Sequence, residues 1–521
     1  MSRPWWIFLL ILFTLLTVLF TFPLALEMKS SLVSQDIYDS YLNTWIFAWQ
    51  AHQLILDPLT VFAANTYYPL PDSLAFSEII LPEALVAFPI EYATGNPVLA
   101  HNIVLFALFP LDALAMYLWS FHNSHSRGAG VVAGLAFAFA TFKIGELRHV
   151  QLEAALWMPL TFLYVQKFFA RPTSRHVLLA SLFFVLNALS SWYYAVFLSL
   201  ALVLFAVWSL ATRDWRIQSA HLKFGGPALV LIILVLVPFI APYLRVEQKY
   251  DFSLQRDIAK FSARPLSYLA TVPGNLVYSS ILKDLTAFNV SRGQPLFPGL
   301  AAIGLAIIAL ARRAHRLGYF LALAVCSIVL SFGPQLLLGR AGDAVPLPFS
   351  TPYTWLQAIP GLKGLGAPAR FDILVTLALA MLAGQGALVI TSSLARGRIA
   401  GWVLVSALVL SEHLAVPIRL TPVLTGGEVP GVYRYLATMP RDEPVVEEPM
   451  GAPNLAGSSE SADSVYYSSY HWHPLVNGYS GFLPRPQAEV IKQQIDFPSS
   501  MALDQLRELG VVWIVVHWED A

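Results

Sequence analysis

The stretch GPALVLIILVLVPFIAPYL at 226–244 decides the fold class, because none of its residues is charged. A helix of about 20 apolar residues crosses the hydrocarbon core of a bilayer, which is about 30 Å thick. Similar windows recur along the chain, and the predicted spans are 5–26, 100–121, 128–143, 151–169, 176–190, 193–212, 226–244, 295–311, 317–333, 368–391 and 399–417. The sequence therefore predicts an all-α polytopic transmembrane domain of about eleven helices within residues 1–418.

The composition excludes several classes of protein. Apolar residues make up 57% of the chain and charged residues 12%, whereas a soluble domain is typically about 25% charged. The formal net charge is zero, so no nucleic-acid partner is expected. Cys326 is the single cysteine, which excludes an intramolecular disulfide and a cysteine-based metal site.

Charge sets the orientation of the spans. With the N-terminus in the cytoplasm, every short inner loop carries arginine, as the positive-inside rule requires. The first outer loop, 27–99, contains one basic residue, Lys29, and eight acidic ones. An odd number of spans then places residues 419–521 outside, beside that loop. We therefore expect the chemistry of this protein to take place on the outer face of the membrane.

The first outer loop contains the strongest candidates for catalysis. Its segment SQDIYDSYLNTWIFAW at 34–49 leads into a predicted helix over 41–56, whose aromatic residues would lie at the membrane surface. Asp36 and Asp39 stand three residues apart just before this helix. Two carboxylates this close can share a divalent metal ion, or one can act in proton transfer. Capping of the helix by Asp39 is the structural alternative, and the two roles are compatible.

Two further outer turns carry candidate binding residues. His149 and Glu153 are four residues apart, so on a helix they would share one face and bind a metal or a sugar together. Anchoring at the membrane interface is the alternative role. Tyr193 and Tyr194 would form a surface that stacks on a sugar or contacts lipid headgroups, and an aromatic belt is the alternative.

Arg370 lies at the outer end of the predicted span 368–391, near Asp372. An arginine in this position can hold a phosphate through two parallel hydrogen bonds. Pairing with Asp372 or snorkelling towards the interface are the alternatives.

Residues 419–521 form a second compositional region, in which Gly, Pro, Ser and charged residues return. The pattern predicts helices over 429–439 and 499–509 and strands over 444–449, 464–470 and 511–517. Gly510 follows the second helix and is expected to end it. We therefore predict a small extracytoplasmic α/β soluble domain over 419–521.

The chain resembles polytopic glycosyltransferases of the glycosyltransferase-C superfamily, and a group of bacterial membrane proteins allied to it. The matching segments are QDIYDSYLNTWIFAW (35–49), YYPLPDSLAFSE (67–78), RHVQLEAALWMPL (148–160), APARFDIL (367–374) and YHWHPLVNGYSGFLP (470–484). The resemblance implies a fold with many spans, a bacterial plasma-membrane location and a polyprenyl-phosphate sugar donor. It also implies an aspartate of the first outer loop as catalytic base, here Asp39 or Asp36.

Two functions are consistent with these features. The first is transfer of a sugar from a polyprenyl-phosphate donor to a glycan, lipid or protein acceptor at the outer face. In this interpretation the substrates would contact Arg370, His149, Glu153, Tyr193 and Tyr194. A divalent metal at the two aspartates is left open, and no other cofactor is expected. The second is a non-catalytic membrane protein, either a transporter of lipid-linked glycans or a transferase-like scaffold. Transport predicts ionisable residues in the middle of several spans, whereas most polar groups here gather at the outer ends.

Overall fold

The structure, a computed structural model, describes residues 3–33, 37–213, 218–250, 258–281, 295–339, 344–359, 362, 364–394, 396–450 and 459–518. Helices dominate it, and 67% of the described residues are helical. The helices before residue 260 are α1 Arg3–Phe20, α2 Ile37–Leu56, α3 Leu81–Thr94, α4 Pro97–Ser124, α5 Arg127–Ala138, α6 Thr141–Gly145, α7 Val150–Glu153, α8 Trp157–Ala170, α9 Ser174–Ser190, α10 Trp192–Ala211 and α11 Ser219–Tyr250. The later helices are α12 Leu300–Ser331, α13 Tyr353–Gln357, α14 Asp372–Ser392, α15 Arg398–Ser411, α16 Gly431–Leu436, α17 Ser459–Tyr467, α18 Arg485–Gln494 and α19 Ser500–Glu508.

The strands form three pairs. They are β1 Ser31–Val33, β2 Gln335–Leu338, β3 Val345–Ser350, β4 Leu420–Pro422, β5 Val445–Glu448 and β6 Trp513–Val516. β1 pairs with β4 and β2 with β3, both antiparallel, while β5 and β6 run parallel. The structure thus confirms a largely helical protein with several membrane-capable helices and a few small sheets, while the C-terminal α/β domain stays a prediction.

Within the described residues, five helical segments are long and apolar enough to cross a membrane. They are Pro97–Ser124, Arg127–Gly145, Trp192–Ala211, Ser219–Tyr250 and Pro368–Ser392. Shorter apolar helices cover Pro4–Phe20, Ser174–Ser190, Leu300–Arg312, Leu317–Ser331 and Arg398–Ser411. These segments support an integral membrane protein with many spans, and the number eleven stays a prediction.

The helical segment α12 contains a reversal of chain direction. Its two ends meet the same short stretch of chain, because Leu296 N–H donates to the Ser267 carbonyl at 3.1 Å and Ala263 N–H donates to the Ser331 carbonyl at 2.8 Å. A straight helix of 32 residues would be about 48 Å long, so its ends would lie far apart. The chain therefore turns back within α12, which agrees with two spans on either side of Arg312.

Local sequence explains where neighbouring spans separate. The Ser191 hydroxyl accepts a hydrogen bond from Tyr194 N–H and caps α10, so one residue divides α9 from α10. The Asn96 side chain accepts from Leu99 N–H, and Pro97 follows at the first position of α4, where its missing N–H costs nothing. Such caps let the chain reverse through very short connections.

Segments predicted to share one side of the membrane contact one another. β1, in the first outer loop, pairs with β4, just after the last predicted span, and Leu32 lies opposite Thr421. At the opposite ends of the spans, the Trp5 indole donates to the Tyr117 hydroxyl at 2.8 Å, and the Arg127 guanidinium lies 5.0 Å from the Trp5 ring centroid. This relative arrangement agrees with the predicted topology; the side that faces the cytoplasm stays a prediction from charge.

Helix α2 is buried inside the protein, which corrects the predicted surface helix over 41–56. Every residue from 40 to 51 is buried. The Tyr41 ring stacks on the Tyr466 ring at 5.0 Å, and the Trp45 indole donates to the Asn65 side chain at 3.3 Å. Residues on every side of the helix from 40 to 51 thus pack against the protein, and only its last turn exposes apolar side chains, Ile55 and Leu56.

Helix α3 instead exposes apolar side chains along one face. Leu85, Val86 and Tyr92 are 50%, 54% and 75% exposed, and their spacing places them on the same side of the helix. A helix with such a face lies well along a membrane surface.

The region after residue 418 packs against the first outer loop. Tyr67 N–H donates to the Asn477 carbonyl at 3.0 Å, and Leu475 N–H donates to the Asn65 carbonyl at 2.6 Å. Buried residues from both regions belong to one hydrophobic core. The domain boundary at 418 stays a prediction, and the two regions share their packing.

One strand predicted in this region is helical. Residues of the predicted strand 464–470 lie in α17 and in the turn Ser468–Tyr470. The helix brings Tyr466 onto Tyr41, as described above, and its buried Val465 joins the shared core. Packing against α2 thus overrides the alternating pattern. The predicted end of α19 is confirmed, because Gly510 adopts a left-handed backbone with φ +73°.

Candidate functional site

The carboxylate of Asp39 lies at the centre of a cluster of charged groups. Asp39 is in the first turn of α2, so its side chain is held by a helix that is buried over most of its length. Its Oδ2 atom lies 3.0 Å from His149 Nε2 and 3.7 Å from Arg148 Nε. Its Oδ1 atom accepts a hydrogen bond from the Tyr479 hydroxyl at 3.3 Å. Three separate parts of the chain therefore meet at this carboxylate.

The imidazole of His149 bridges two carboxylates. Its Nδ1 atom lies 2.7 Å from Glu146 Oε2, on the opposite side of the ring from Asp39. The short connection between α6 and α7 carries both residues, and the Asn43 side chain donates to the Arg148 carbonyl at 3.0 Å, which ties this connection to α2. Hydrogen bonds at both nitrogens fix the ring orientation.

Electrostatics favour a charged carboxylate beside a charged imidazole. Burial raises the pKa of Asp39, but His149, Arg148 and Arg370 outweigh it and hold the pKa of this carboxyl well below its ordinary value. Burial lowers the pKa of His149, but the carboxylates of Asp39 and Glu146 outweigh it and raise the pKa. The Asp39 side chain is 24% exposed and that of Arg148 15%, so the cluster is open to a bound molecule.

Arg370 completes the positive side of the cluster. Its Nη2 atom lies 3.5 Å from His149 Nε2, and its guanidinium carbon lies 4.7 Å from the centroid of the Tyr193 ring. Asp372 does not pair with it; that carboxylate accepts from the Thr376 hydroxyl at 3.3 Å. Among the described residues Arg370 makes no salt bridge, so its guanidinium is available to an anion.

Tyr193 is positioned from two directions. Its hydroxyl donates to the Gly364 carbonyl at 3.4 Å and accepts from Gly366 N–H at 3.3 Å. The Ser191 hydroxyl, two residues earlier, donates to Glu78 of the first outer loop at 2.7 Å. The ring therefore forms a fixed platform beneath the Arg370 guanidinium.

Two predicted binding residues lie away from this cluster. Glu153 is fully buried with its carboxylate 3.1 Å from Lys143 Nζ, and Lys143 also pairs with the buried Asp112. Tyr194 is fully buried, and its hydroxyl donates to the Leu152 carbonyl at 2.7 Å. Both side chains therefore pack in the interior, away from the charged cluster, and their predicted contact with substrate stays a prediction. Asp36 lies outside the described residues.

Three residues of the cluster were not predicted as site residues. Glu146 and Arg148 flank His149 in the sequence, so a search of the whole turn for charge would have found them. Tyr479 is separated from Asp39 by 440 residues, and only its place in the segment 470–484 gave a signal. The described residues include no group of three His, Cys, Asp or Glu placed to bind one metal ion.

Comparisons with known proteins identify the fold. No protein-family model matches the chain, and no curated protein is similar to it in sequence. A cryo-EM structure of arabinofuranosyltransferase AftD from mycobacteria matches with a TM-score of 0.60 and 17% identity, covering 99% of this chain and 37% of that one. This chain thus spans little more than a third of the AftD chain. The match shows the glycosyltransferase-C fold, which confirms the predicted resemblance at the level of fold.

Two other solved structures match with lower TM-scores. ArnT from Cupriavidus metallidurans, bound to undecaprenyl phosphate, has a TM-score of 0.46 and 13% identity, covering 91% of this chain and 86% of that one. The archaeal oligosaccharyltransferase AglB from Archaeoglobus fulgidus, in complex with an inhibitory peptide and a dolichol-phosphate, has a TM-score of 0.46 and 12% identity, with coverage of 99% and 69%.

Proposed function

We propose that this protein is a membrane glycosyltransferase that moves a sugar from a polyprenyl-phosphate donor to an acceptor at the extracytoplasmic face of the membrane. The observation that carries the proposal is the juxtaposition of one partly exposed carboxylate, Asp39, with the three cationic groups of Arg148, His149 and Arg370. A transferase of this type needs both kinds of group, a base for the acceptor and positive charge for the departing phosphate.

The cations suit the donor. The phosphate of a polyprenyl-phosphate sugar is anionic and lies at the membrane surface, and an arginine can hold it through two parallel hydrogen bonds. Arg370 is available for this role because it has no salt bridge among the described residues. Arg148 and His149 both contact the Asp39 carboxylate, so Arg148 would add a second guanidinium group near the phosphate.

Asp39 suits the acceptor. In the proposed step, an acceptor hydroxyl oxygen forms a bond to the anomeric carbon of the donor sugar. The bond between that carbon and the phosphate oxygen breaks, and the polyprenyl phosphate leaves with the electron pair. The hydroxyl proton passes to the Asp39 carboxylate, or to Asp36. A single displacement of this kind inverts the anomeric centre.

Donor binding would activate the base. A carboxyl with a strongly lowered pKa is a weak base, and Arg148 and Arg370 both contribute to the low pKa of Asp39. A bound phosphate neutralises their charge, so the pKa of Asp39 rises towards its ordinary value. Asp39 would therefore be a stronger base when the donor is in place than when the site is empty.

The proposal is tested by incubating the purified protein, reconstituted in lipid, with a set of polyprenyl-phosphate sugars and membrane acceptors. Mass spectrometry should detect an acceptor whose mass has increased by one sugar residue, together with free polyprenyl phosphate. Protein carrying Arg507→Gln, which lies on an exposed helix, is the matched control and should give the same product. Absence of any transfer from every donor in the set would favour the scaffold or transporter alternative.

A further inference from the structure

A cavity separate from the charged cluster lies between the first outer loop and the C-terminal region. Its volume is about 290 Å³, and α2, α3 and the segment 469–472 form its walls. Asp39 and His52 both lie on α2, 13 positions apart, which corresponds to about 20 Å along the helix. Small-molecule sites are typically concave, largely apolar and provided with a few polar groups.

One carboxylate oxygen in the wall of this cavity has no partner among the described residues. Glu91 lines the cavity, and its Oε2 atom is buried and makes no hydrogen bond among the described residues. Burial raises the pKa of Glu91 to about 7. A buried oxygen without a donor is costly, so the group is suited to a ligand that supplies one.

Aromatic side chains form much of the remaining wall. The His52 ring stacks on the Trp472 indole, with their centroids 4.2 Å apart and their planes at 13°. Trp472 has a left-handed backbone with φ +60°, which is unfavourable for a residue with a β-carbon and often marks a functional position. Tyr92, on α3, also lines the cavity and is 75% exposed. Tyr470 completes the aromatic lining.

We propose that this cavity is a binding site for one residue of a neutral glycan. The apolar face of a sugar ring can stack on the aromatic side chains, while its hydroxyl groups donate to the unpartnered Glu91 carboxyl. A phosphate would meet the like charge of Glu91, and a prenyl chain would leave the buried oxygen without a donor. An amine is disfavoured because Arg441 places positive charge near His52.

Under the proposed function, the site would hold a distal residue of a glycan acceptor while its reacting end lies at Asp39. This role rests on the proposed transferase activity, but the binding of a glycan does not. Glycan binding is therefore measured without donor and without turnover.

The test uses the full-length protein in detergent. Fluorescently labelled protein is first applied to an array of neutral oligosaccharides, and the best ligand is then titrated with quenching of tryptophan fluorescence as the readout, since Trp472 lines the cavity. Glu91→Gln keeps the size of the side chain and should weaken binding about tenfold or more. Tyr92→Ala removes an exposed ring and should weaken it several-fold.

Glu508→Gln and Tyr435→Ala, an exposed carboxylate and an exposed aromatic residue elsewhere, are the matched controls and should bind as the unmodified protein does. Asp39→Asn should also bind normally, which separates this site from the transfer chemistry. The proposal is overturned if the protein binds no neutral oligosaccharide. It is also overturned if the Glu91→Gln and Tyr92→Ala variants bind the ligand as tightly as the unmodified protein does. Displacement of the ligand by choline or by undecaprenyl phosphate would also overturn it, and would assign the cavity to a cation or to a lipid.

Discussion

Replacement of Arg370 tests the part of the site that is proposed to hold the donor phosphate. Arg370→Gln removes the charge and the paired N–H groups but keeps a polar side chain that still reaches over Tyr193. A hydrogen bond to a charged group contributes about 1.5–3 kcal/mol. At about 1.4 kcal/mol per factor of ten, the dissociation constant for undecaprenyl phosphate should rise by about 10–150-fold.

The change in affinity for undecaprenyl phosphate can be measured without knowing which sugar is transferred. With undecaprenyl phosphate at about 100 times the dissociation constant of the unmodified protein, ligand binding adds about 2.7 kcal/mol to the free energy of unfolding. The same ligand concentration should add only about 0.3–1.4 kcal/mol to the Arg370→Gln protein, by the same relation. Thermal unfolding in detergent measures both increases in stability as shifts in Tm. For each protein the shift is taken relative to its Tm without undecaprenyl phosphate.

Arg370→Lys and Arg507→Gln serve as controls. Lysine keeps the positive charge without the planar pair of donors. The lipid-induced shift in Tm of Arg370→Lys should therefore fall between those of Arg370→Gln and the unmodified protein. Arg507 forms an exposed pair with Asp504, and its replacement should leave the shift unchanged. A full lipid-induced shift in Arg370→Gln would refute the role of this arginine in phosphate binding.

Three further predictions concern other contacts. Lys143→Met leaves the buried carboxylates of Asp112 and Glu153 without their cation and should lower the free energy of unfolding by about 3–5 kcal/mol; an unchanged Tm would contradict the described pairing. The raised pKa of His149 stabilises the fold below about pH 6.5, its ordinary pKa, and that contribution is lost as the pH rises through the folded-state pKa. The difference in Tm between the unmodified protein and His149→Gln should therefore shrink with rising pH, and a pH-independent difference would contradict the charged pair. Tyr479→Phe removes one hydrogen bond to Asp39, worth about 0.5–1.5 kcal/mol, and should slow transfer about 2–10-fold in a rate assay; an unchanged rate would show that this contact does not position the carboxylate.

That the protein is an integral membrane protein was readable from the sequence, because long uncharged windows have few structural alternatives. The same holds for local signals such as Gly510, whose left-handed backbone ends a helix as predicted. The helical conformation of 464–470 was not readable, because its mixture of aromatic, β-branched and polar residues was interpreted as a strand. Its conformation is set by contacts with α2, which is more than 400 residues away in the chain.

The candidate site was only partly readable for the same reason. Asp39 stood out in the first outer loop, and His149, Arg370 and Tyr193 stood out near the ends of predicted spans; the structure brings all four together. Glu153 stood out equally, since nothing in its local sequence tells a buried ion pair with Lys143 from an exposed binding group. Long-range packing decides that difference.

The rate of sugar transfer by Asp39→Asn tests the central claim most directly. Asparagine keeps the size of the side chain and can still accept a hydrogen bond from Tyr479, but it cannot take a proton from the acceptor. The account predicts that the rate falls by about 10²–10⁴-fold, while membrane insertion and the undecaprenyl phosphate-induced shift in Tm are retained. Transfer at the unmodified rate by both Asp39→Asn and the double variant with Asp36→Asn would contradict the account.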